Sequence, residues 1–161
     1  MICSNPQCSI SNNKSDAIYC HNCGKILPTK LSTNKGFWRA FFLSIITLGI
    51  YQFWLIYALA KETNIVCKAD GKQTRGMVGY LFLSLITLGI YAIVWHVKII
   101  KRRRYFLLSH GKDGGLKVST YLLTLFLWGW LTLGIMFIVI SCKFLYQQNA
   151  VNKEYNIKFK L

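Results

Sequence analysis

Four cysteines near the N-terminus are the residues whose type and spacing could do chemistry. Four residues separate Cys3 from Cys8, and eleven residues later Cys20 and Cys23 form a closer pair, followed by Gly24. Two pairs of thiolates joined by a short loop can close a tetrahedral cage around one ion, with Zn–S distances of about 2.3 Å. The spacing therefore predicts a structural Zn²⁺ site with Cys3, Cys8, Cys20 and Cys23 as ligands.

Other uses of these thiols remain open at this point. Iron in the same cage, disulfides and free thiols are alternatives to zinc, and His21 could replace a cysteine, although with four thiols present we interpret it as a bystander. Because a four-thiolate site has no open coordination position, we expect no reaction at the metal, and bound metal should supply most of the module's folding free energy. Cys67 and Cys142 are interpreted as small apolar residues.

Residues 20–27 read C-H-N-C-G-K-I-L. This stretch resembles the closing C-x-N-C-G-K-x-L of short zinc-ribbon modules found at the ends of many bacterial membrane and regulatory proteins. The resemblance covers about the first 27 residues of the chain. It implies a structural zinc and no catalytic activity.

The elements that must carry this module are strongly apolar. Of the 161 residues, 53% are hydrophobic and 15% aromatic, which is too apolar for a disordered chain and unusual for a small soluble domain. Three apolar segments occupy 37–60, 77–100 and 121–145. As helices with a rise of about 1.5 Å per residue, each could cross a hydrocarbon core of about 30 Å.

These segments predict a mainly α-helical integral membrane protein. The predicted organisation is a zinc ribbon at 1–30, a linker at 31–36 and a membrane domain at 37–161 made of three repeated segments. The repeats are visible in the sequence, because 41–51 and 81–91 agree at 9 of 11 positions and T-L-G-I recurs at 132–135. We infer that one unit has been copied.

The glycines of the T-L-G-I motif, Gly49, Gly89 and Gly134, have two interpretations. Each could end a helix in the left-handed conformation, sealed by an apolar contact between the next residue and one five positions earlier. Those pairs would be Ile45 with Ile50, Leu85 with Ile90 and Trp130 with Ile135. Alternatively, the glycines only let neighbouring helices approach closely. The first interpretation allows broken, re-entrant segments, and the second is compatible with straight crossings.

The distribution of basic residues along the chain bears on how the protein is oriented in the membrane. The chain has 20 Lys and Arg against 5 Asp and Glu. With straight crossings the distribution favours a cytoplasmic N-terminus, whereas re-entrant segments that keep every positive connection in the cytoplasm satisfy the positive-inside rule more completely. The densest basic run comprises Lys98, Lys101, Arg102, Arg103 and Arg104. We interpret it as an anchoring signal or, alternatively, as a site for anionic lipid headgroups, at about 1 kcal/mol per basic side chain.

Catalytic groups are scarce in the apolar segments. No carboxylate lies within them, and the chain has no phosphate-binding glycine loop, metalloprotease helix motif or nucleophile elbow, so we expect no enzyme activity. The first hypothesis is a scaffold whose ribbon recruits a protein partner or whose helices self-associate. A lipid-responsive or permeation-related protein is the second, and a membrane-tethered nucleic-acid binder ranks last.

The repeated unit resembles a bacterial membrane family catalogued as domain of unknown function 4234. The matching residues are Thr47 to Tyr51 with Trp54, and Thr87 to Tyr91 with Trp95, while Met136 replaces the tyrosine in the third copy. Members of that family often carry an N-terminal zinc ribbon. The resemblance implies a location in the bacterial inner membrane, with the ribbon in the cytoplasm, and gives no biochemical activity.

Overall fold

The structure is a computed structural model that describes residues 2, 3, 8, 17–25, 27–128, 132 and 134–161. Within these residues the chain is mainly helical, as predicted. Its six α-helices are α1 (Phe37–Ile46), α2 (Ile50–Val66), α3 (Met77–Ile86), α4 (Ile90–Ser109), α5 (Val118–Leu123) and α6 (Ile135–Phe159). A 3₁₀ turn follows α2 at Lys68–Asp70, and a π-helical stretch extends α5 at Thr124–Trp128.

Each apolar segment is broken at its T-L-G-I motif. Hairpin 1 consists of α1 and α2, hairpin 2 of α3 and α4, and hairpin 3 of α5, its π-helical extension and α6. The glycines in the three turns have φ values of 90° at Gly49, 88° at Gly89 and 87° at Gly134. These values favour the helix-break interpretation, since left-handed backbone is where glycine carries no steric penalty. In the described part of the chain, no helix combines the length and apolar composition needed to cross a bilayer.

The turn of hairpin 1 has the hydrogen bonds of a Schellman motif, one residue earlier than predicted. The N–H of Gly49 donates to the carbonyl of Ser44 at 2.7 Å, and that of Leu48 donates to Ile45 at 3.1 Å. Leu48 therefore occupies the left-handed position next to the helix end, with a φ of 49°, and Gly49 follows it.

The predicted apolar seal is therefore wrong in register at the first two turns. In the observed motif, the two residues that would make the apolar contact are Ser44 and Gly49, not Ile45 and Ile50 as predicted. Hairpin 2 repeats the pattern, with Gly89 donating to Ser84 at 2.7 Å. The third predicted pair includes Trp130, which lies outside the described residues.

The threonine of each turn connects the two arms. The hydroxyl of Thr47 donates to the carbonyl of Leu43 at 2.7 Å and accepts the N–H of Tyr51 at 3.0 Å. Thr87 makes the equivalent pair at 2.7 and 2.9 Å. Each carbonyl also accepts the backbone N–H of the same threonine, so the hydroxyl adds a second bond at the end of one helix and gives a partner to a free N–H at the start of the next.

The hairpins point the same way. Leu55, Trp95 and Ile140 each lie five residues after the first residue of α2, α4 and α6, and all three are buried in one apolar core. Equal distances from the turns place the three tips at one end of the molecule. At the opposite end, which we call the base, polar side chains are buried, including Arg103, Gln147, Gln148 and Asn152.

The predicted linker at 31–36 is bound along α6. Asn156 accepts the N–H of Leu31 at 2.9 Å and donates to its carbonyl at 2.8 Å. Asn149 makes the same pair with Lys35 at 3.0 and 2.9 Å, and Asn152 donates to the carbonyl of Ser32 at 2.6 Å. The segment is therefore held by side chains on one face of α6 and is not a free tether.

Candidate functional site

The second cysteine pair lies on a tight turn between two short antiparallel stretches. The N–H of Leu27 donates to Ile18 at 2.9 Å, and that of Cys20 donates to Lys25 at 2.8 Å. Inside this frame Gly24 adopts a φ of 65° and donates to the carbonyl of Cys20. Glycine suits this left-handed position, which reverses the chain directly after the second thiol.

The four predicted ligands lie together. Their sulfur atoms are all within 4.8 Å of one another, with 3.5 Å between Cys3 and Cys23 and 3.6 Å between Cys8 and Cys20. Four sulfurs placed tetrahedrally at about 2.3 Å from a zinc ion would be about 3.8 Å apart. A disulfide needs about 2.05 Å, so the disulfide alternative is wrong here, and all six cysteines are free thiols. The cluster could hold one metal ion.

The backbone favours thiolates at this cluster. Hydrogen bonds from the backbone N–H groups of Cys23 and then Asn22 lower the pKa of the Cys20 thiol to about 6. The backbone of Lys25 likewise lowers the pKa of Cys23, and the side-chain amide of Asn22 lies 3.6 Å from the sulfur of Cys8. Since the thiolate is the form that binds metal, these contacts favour coordination before any ion arrives.

The cysteine module is attached to the helical part at both ends. The N–H of Ile2 donates to the carbonyl of Phe159 at 3.0 Å, and the linker that follows the module is held by the asparagines of α6. The module's own core is small, with Cys3, Cys20 and Leu27 as its buried members. Such a core cannot hold the module together without further cross-links.

The predicted headgroup cluster divides into buried and exposed residues. Arg102 is 6% exposed and donates from Nε to Asp70 at 2.6 Å. Its Nη1 donates to Asn64 at 2.6 Å and to Thr74 at 2.7 Å. It therefore holds the connection between α2 and α3 in place.

Arg103 is fully buried between helices. Its Nε donates to the hydroxyl of Thr63 at 3.1 Å, and its guanidinium carbon lies 4.5 Å from the ring centre of Phe144. From Thr63 a hydrogen-bonded chain passes through Gln148 and Asn152 to Glu62. Because their donors face the protein interior, Arg102 and Arg103 are not available to lipid headgroups, and the prediction is corrected for these two residues.

Lys98, Lys101 and Arg104 remain at the surface. Both lysines are exposed, and Arg104 is half-buried with Nη1 donating to the carbonyl of Gly115 at 3.3 Å. The ammonium of Lys98 lies 5.9 Å from the ring centre of Tyr91. The structure thus leaves a smaller basic surface than the sequence predicts, located where α4 leaves the apolar half of the molecule.

Sequence reasoning missed a cavity between the three hairpins. It has a volume of about 340 Å³, and its lining includes Tyr80, His96 and Tyr121. Aromatic residues near the ends of apolar segments are also typical of membrane interfaces, so their presence alone did not indicate a cavity. No common spacing marks these residues in the sequence, because Tyr80 lies 9 residues before Gly89, whereas Tyr121 lies 13 residues before Gly134.

The fold and site together define a mainly helical protein of three repeated hairpins that carries a possible metal-binding module of four cysteines. A family model described as domain of unknown function (DUF4234) matches residues 35–102 and again residues 75–147. The chain belongs to this family. The two overlapping matches cover hairpins 1 and 2, then hairpins 2 and 3, so the third copy is included despite Met136. No curated protein and no solved structure is significantly similar to the chain.

Proposed function

We propose that the protein is a noncatalytic scaffold embedded in the cytoplasmic leaflet of the bacterial inner membrane, with a structural-zinc ribbon on the cytoplasmic side. The observation that carries this proposal is the exposure of large apolar side chains at the hairpin tips. Leu48 and Leu88 are each 94% exposed, Leu85 is 79% exposed and Ile46 is 76% exposed. A contiguous apolar surface of this kind marks a membrane or protein interface.

The position of the charged residues supports insertion to half the depth of a bilayer. No Asp, Glu, Lys or Arg occurs between Arg39 and Lys61, between Arg75 and Lys98, or between Lys117 and Lys143. Folded at Gly49, Gly89 and Gly134, these stretches give arms of 8 to 16 residues, or about 12–24 Å of helix. The hydrocarbon core is about 30 Å thick, so the tips would reach its middle and every basic connection would return to the same side.

The hydrogen bonds of the turns support the same environment. A chain that reverses direction in hydrocarbon must satisfy its backbone groups internally, since no water is available there. Thr47 and Thr87 supply these bonds at the first two tips. Leucine beside such a turn costs free energy in water but gains it in lipid, because its side chain leaves solvent.

The base is suited to the headgroup region. Lys98 and Lys101 are exposed there, and basic side chains near an anionic membrane surface contribute about 1 kcal/mol each. Exposed Trp38 and Trp54 lie on the arms of hairpin 1, and tryptophan favours bilayer interfaces. These residues would orient the hairpins rather than bind a specific lipid.

Vesicle flotation tests insertion. The full-length protein should float with vesicles of phosphatidylethanolamine and phosphatidylglycerol, and Leu48→Asp combined with Leu88→Asp should remain at the bottom of the gradient. An aspartate near the bilayer centre costs about 2.5–3.5 kcal/mol. The control is Gln73→Asp, which adds a carboxylate to an exposed connection and should still float. Equal flotation of the double variant would contradict insertion of the tips.

Cysteine accessibility in intact cells tests the hairpin topology. Single cysteines replace exposed Gln73, Lys112 and Lys158 in a chain that lacks Cys67 and Cys142. With hairpins, an impermeant reagent should leave all three sites unlabelled until the membrane is opened. Labelling of Gln73→Cys and Lys158→Cys without Lys112→Cys, or of Lys112→Cys alone, in intact cells would mean that the segments cross.

The ribbon is proposed to recruit a cytoplasmic protein. A four-thiolate site is closed, so the metal holds the shape of the module rather than performing a reaction. Purified protein should contain one zinc per chain by elemental analysis, and Cys20→Ala with Cys23→Ala should lose both the metal and the copurifying partners. An unchanged set of partners would contradict recruitment by the ribbon.

A further inference from the structure

The cavity at the centre of the three hairpins has the composition of a ligand site. Its volume of about 340 Å³ lies at the lower end of the range for small-molecule sites, about 300–1,000 Å³. Most of its wall is apolar, and no Lys, Arg, Asp or Glu is among its lining residues within the described part of the chain. Among its polar lining residues, Trp95 already donates its indole N–H to the carbonyl of Arg75 at 2.9 Å. Gln52 and Ser141 add an amide and a hydroxyl, and the rings of Tyr80, His96 and Tyr121 contribute to the same wall.

The hydrogen bonding of His96 defines what its free nitrogen can do. Its Nδ1 lies 2.8 Å from the carbonyl oxygen of Ala92, and because a carbonyl only accepts, Nδ1 carries the proton. Phe144 separates the imidazole from the Arg103 guanidinium, with 5.2 Å from its ring centre to that of His96 and 4.5 Å to the arginine. A nearby cation and an uncharged wall both favour the neutral ring. Nε2 is therefore an acceptor.

Two tyrosine hydroxyls accompany this acceptor. The Tyr121 ring stacks on His96 with centres 5.7 Å apart and an angle of 14°, and the Tyr80 ring lies 6.4 Å from it. Among the residues that the structure describes, none is hydrogen-bonded to Nε2 of His96 or to either hydroxyl. The protein thus offers one acceptor and two groups that both donate and accept, all within an apolar enclosure.

We propose that this cavity binds an uncharged amphiphile that carries a hydroxyl group on an apolar chain. The ligand's O–H donates to Nε2 of His96, and its oxygen accepts from a tyrosine hydroxyl. Its chain leaves past Phe41 and Phe137, two exposed lining residues. A carboxylate or phosphate is disfavoured because no lining cation would pair with it. The site rests on the proposed bilayer insertion only for the route by which a lipid would reach it.

Competitive photolabelling in detergent micelles tests the site without requiring insertion. Full-length metal-loaded protein is labelled with a diazirine-bearing dodecanol, and the labelled residues are mapped by mass spectrometry. Unlabelled dodecan-1-ol, its methyl ether and dodecanoate then compete. We expect labels on cavity residues, and the alcohol should compete about tenfold better than the ether, which lacks the donor, and better than dodecanoate. Dioleoylglycerol as a fourth competitor distinguishes a glycerolipid source from a free long-chain alcohol.

Two variants assign the preference to these residues. His96→Phe keeps a ring but removes the acceptor, so the alcohol and the ether should compete equally. Tyr121→Phe removes one hydroxyl and is the milder change if His96→Phe fails to fold. Tyr57→Phe is the control, because Tyr57 is exposed and does not line the cavity. Equal competition by alcohol and ether in the unaltered protein, stronger competition by dodecanoate, or labels confined to the hairpin tips would overturn the proposal, whether or not the protein floats with vesicles.

Discussion

A single hydroxyl completes the backbone hydrogen bonds of two helices at the turn of hairpin 1. Thr47 donates to the last turn of α1 and accepts from the first turn of α2, so one side chain does the work that a C-terminal and an N-terminal cap usually share. Serine or asparagine could offer similar atoms, but the methyl group of threonine also adds apolar surface at an exposed tip. The residue therefore matches both the hydrogen bonding and the proposed surroundings.

Replacing this hydroxyl should loosen the tip. We expect Thr47→Val to raise the hydrogen-exchange rate of the Tyr51 amide and to reduce stability by about 1–3 kcal/mol, because the Tyr51 N–H loses its partner, while the Leu43 carbonyl keeps the backbone N–H of residue 47. The change keeps the shape of the side chain. Ser44→Ala is the control, since the Ser44 hydroxyl donates to the carbonyl of Ala40 within its own helix and the substitution leaves its backbone carbonyl in place. Equal exchange rates in the two variants would show that Thr47 has no special role.

At the scale of elements, the connection between α2 and α3 is held by a side chain from α4. Arg102 reaches Asp70, Asn64 and Thr74, and the carboxylate of Asp70 also accepts the N–H of Lys72 at 2.8 Å. Partial burial opposes ionisation of Asp70, but the hydrogen bonds from Arg102 and the Lys72 N–H, together with the charges of both residues, outweigh it, and the pKa of this carboxyl is below its ordinary value. The ionised form therefore belongs to the folded state.

This arrangement predicts a pH-dependent contribution to stability. A carboxyl with a lowered pKa stabilises the fold above its unfolded value of about 3.9, and that contribution is lost as the pH falls through the folded value. Asp70→Asn should lower the unfolding free energy by about 1–2 kcal/mol at neutral pH, discounted for the partial exposure of the pair. The difference from the unaltered protein should shrink below about pH 4.

Thermal unfolding at several pH values measures this difference. Asp113→Asn removes the same charge from an exposed residue and controls for net charge. A destabilisation by Asp70→Asn that stayed constant down to low pH would mean that the ionised carboxylate is not the stabilising form.

The cysteine cluster, the apolar segments and Arg102 differ in how far their structure could be predicted from the sequence. The spacing of Cys3, Cys8, Cys20 and Cys23 predicted that these four residues lie together, because the ligands of such a site are close to one another in the sequence. Hydropathy located the three apolar segments, but a segment of this length suits both a crossing and a hairpin, and only the backbone at the turns distinguishes them. The burial of Arg102 could not be predicted, because its partner Asp70 lies 32 positions away and nothing in a basic run indicates an interior position.

The whole molecule has two unlike ends. The tips present exposed leucine, isoleucine and phenylalanine, whereas the base buries polar side chains and carries the linker and the cysteine module. The asparagines of α6 tie the linker to the base by hydrogen bonds that involve no metal. A metal bound by the cysteines would therefore order the module separately from the packing of the helices.

Removal of the metal should destabilise the cysteine module and leave the packing of the helices unchanged. With a strong chelator we expect residues 17–25 to gain protease sensitivity and rapid hydrogen exchange, because the metal supplies most of that module's folding free energy. Amides of the six helices should keep their protection, and Leu31 and Lys35 should exchange slowly as before. A Cys67→Ala variant controls for thiol loss outside the cluster. Loss of protection in α6 on chelation would show instead that the metal supports the whole fold.

Both ends of the described chain lie at the base, where Ile2 is hydrogen-bonded to Phe159. In the proposed membrane orientation, a hairpin that enters and leaves the bilayer on the same side does not change the side on which the chain continues. Duplicating a crossing helix would invert everything downstream, but duplicating such a loop-back leaves both termini where they were. An odd number of copies is therefore as acceptable as an even one, and this architecture can lengthen by whole units without a topological penalty.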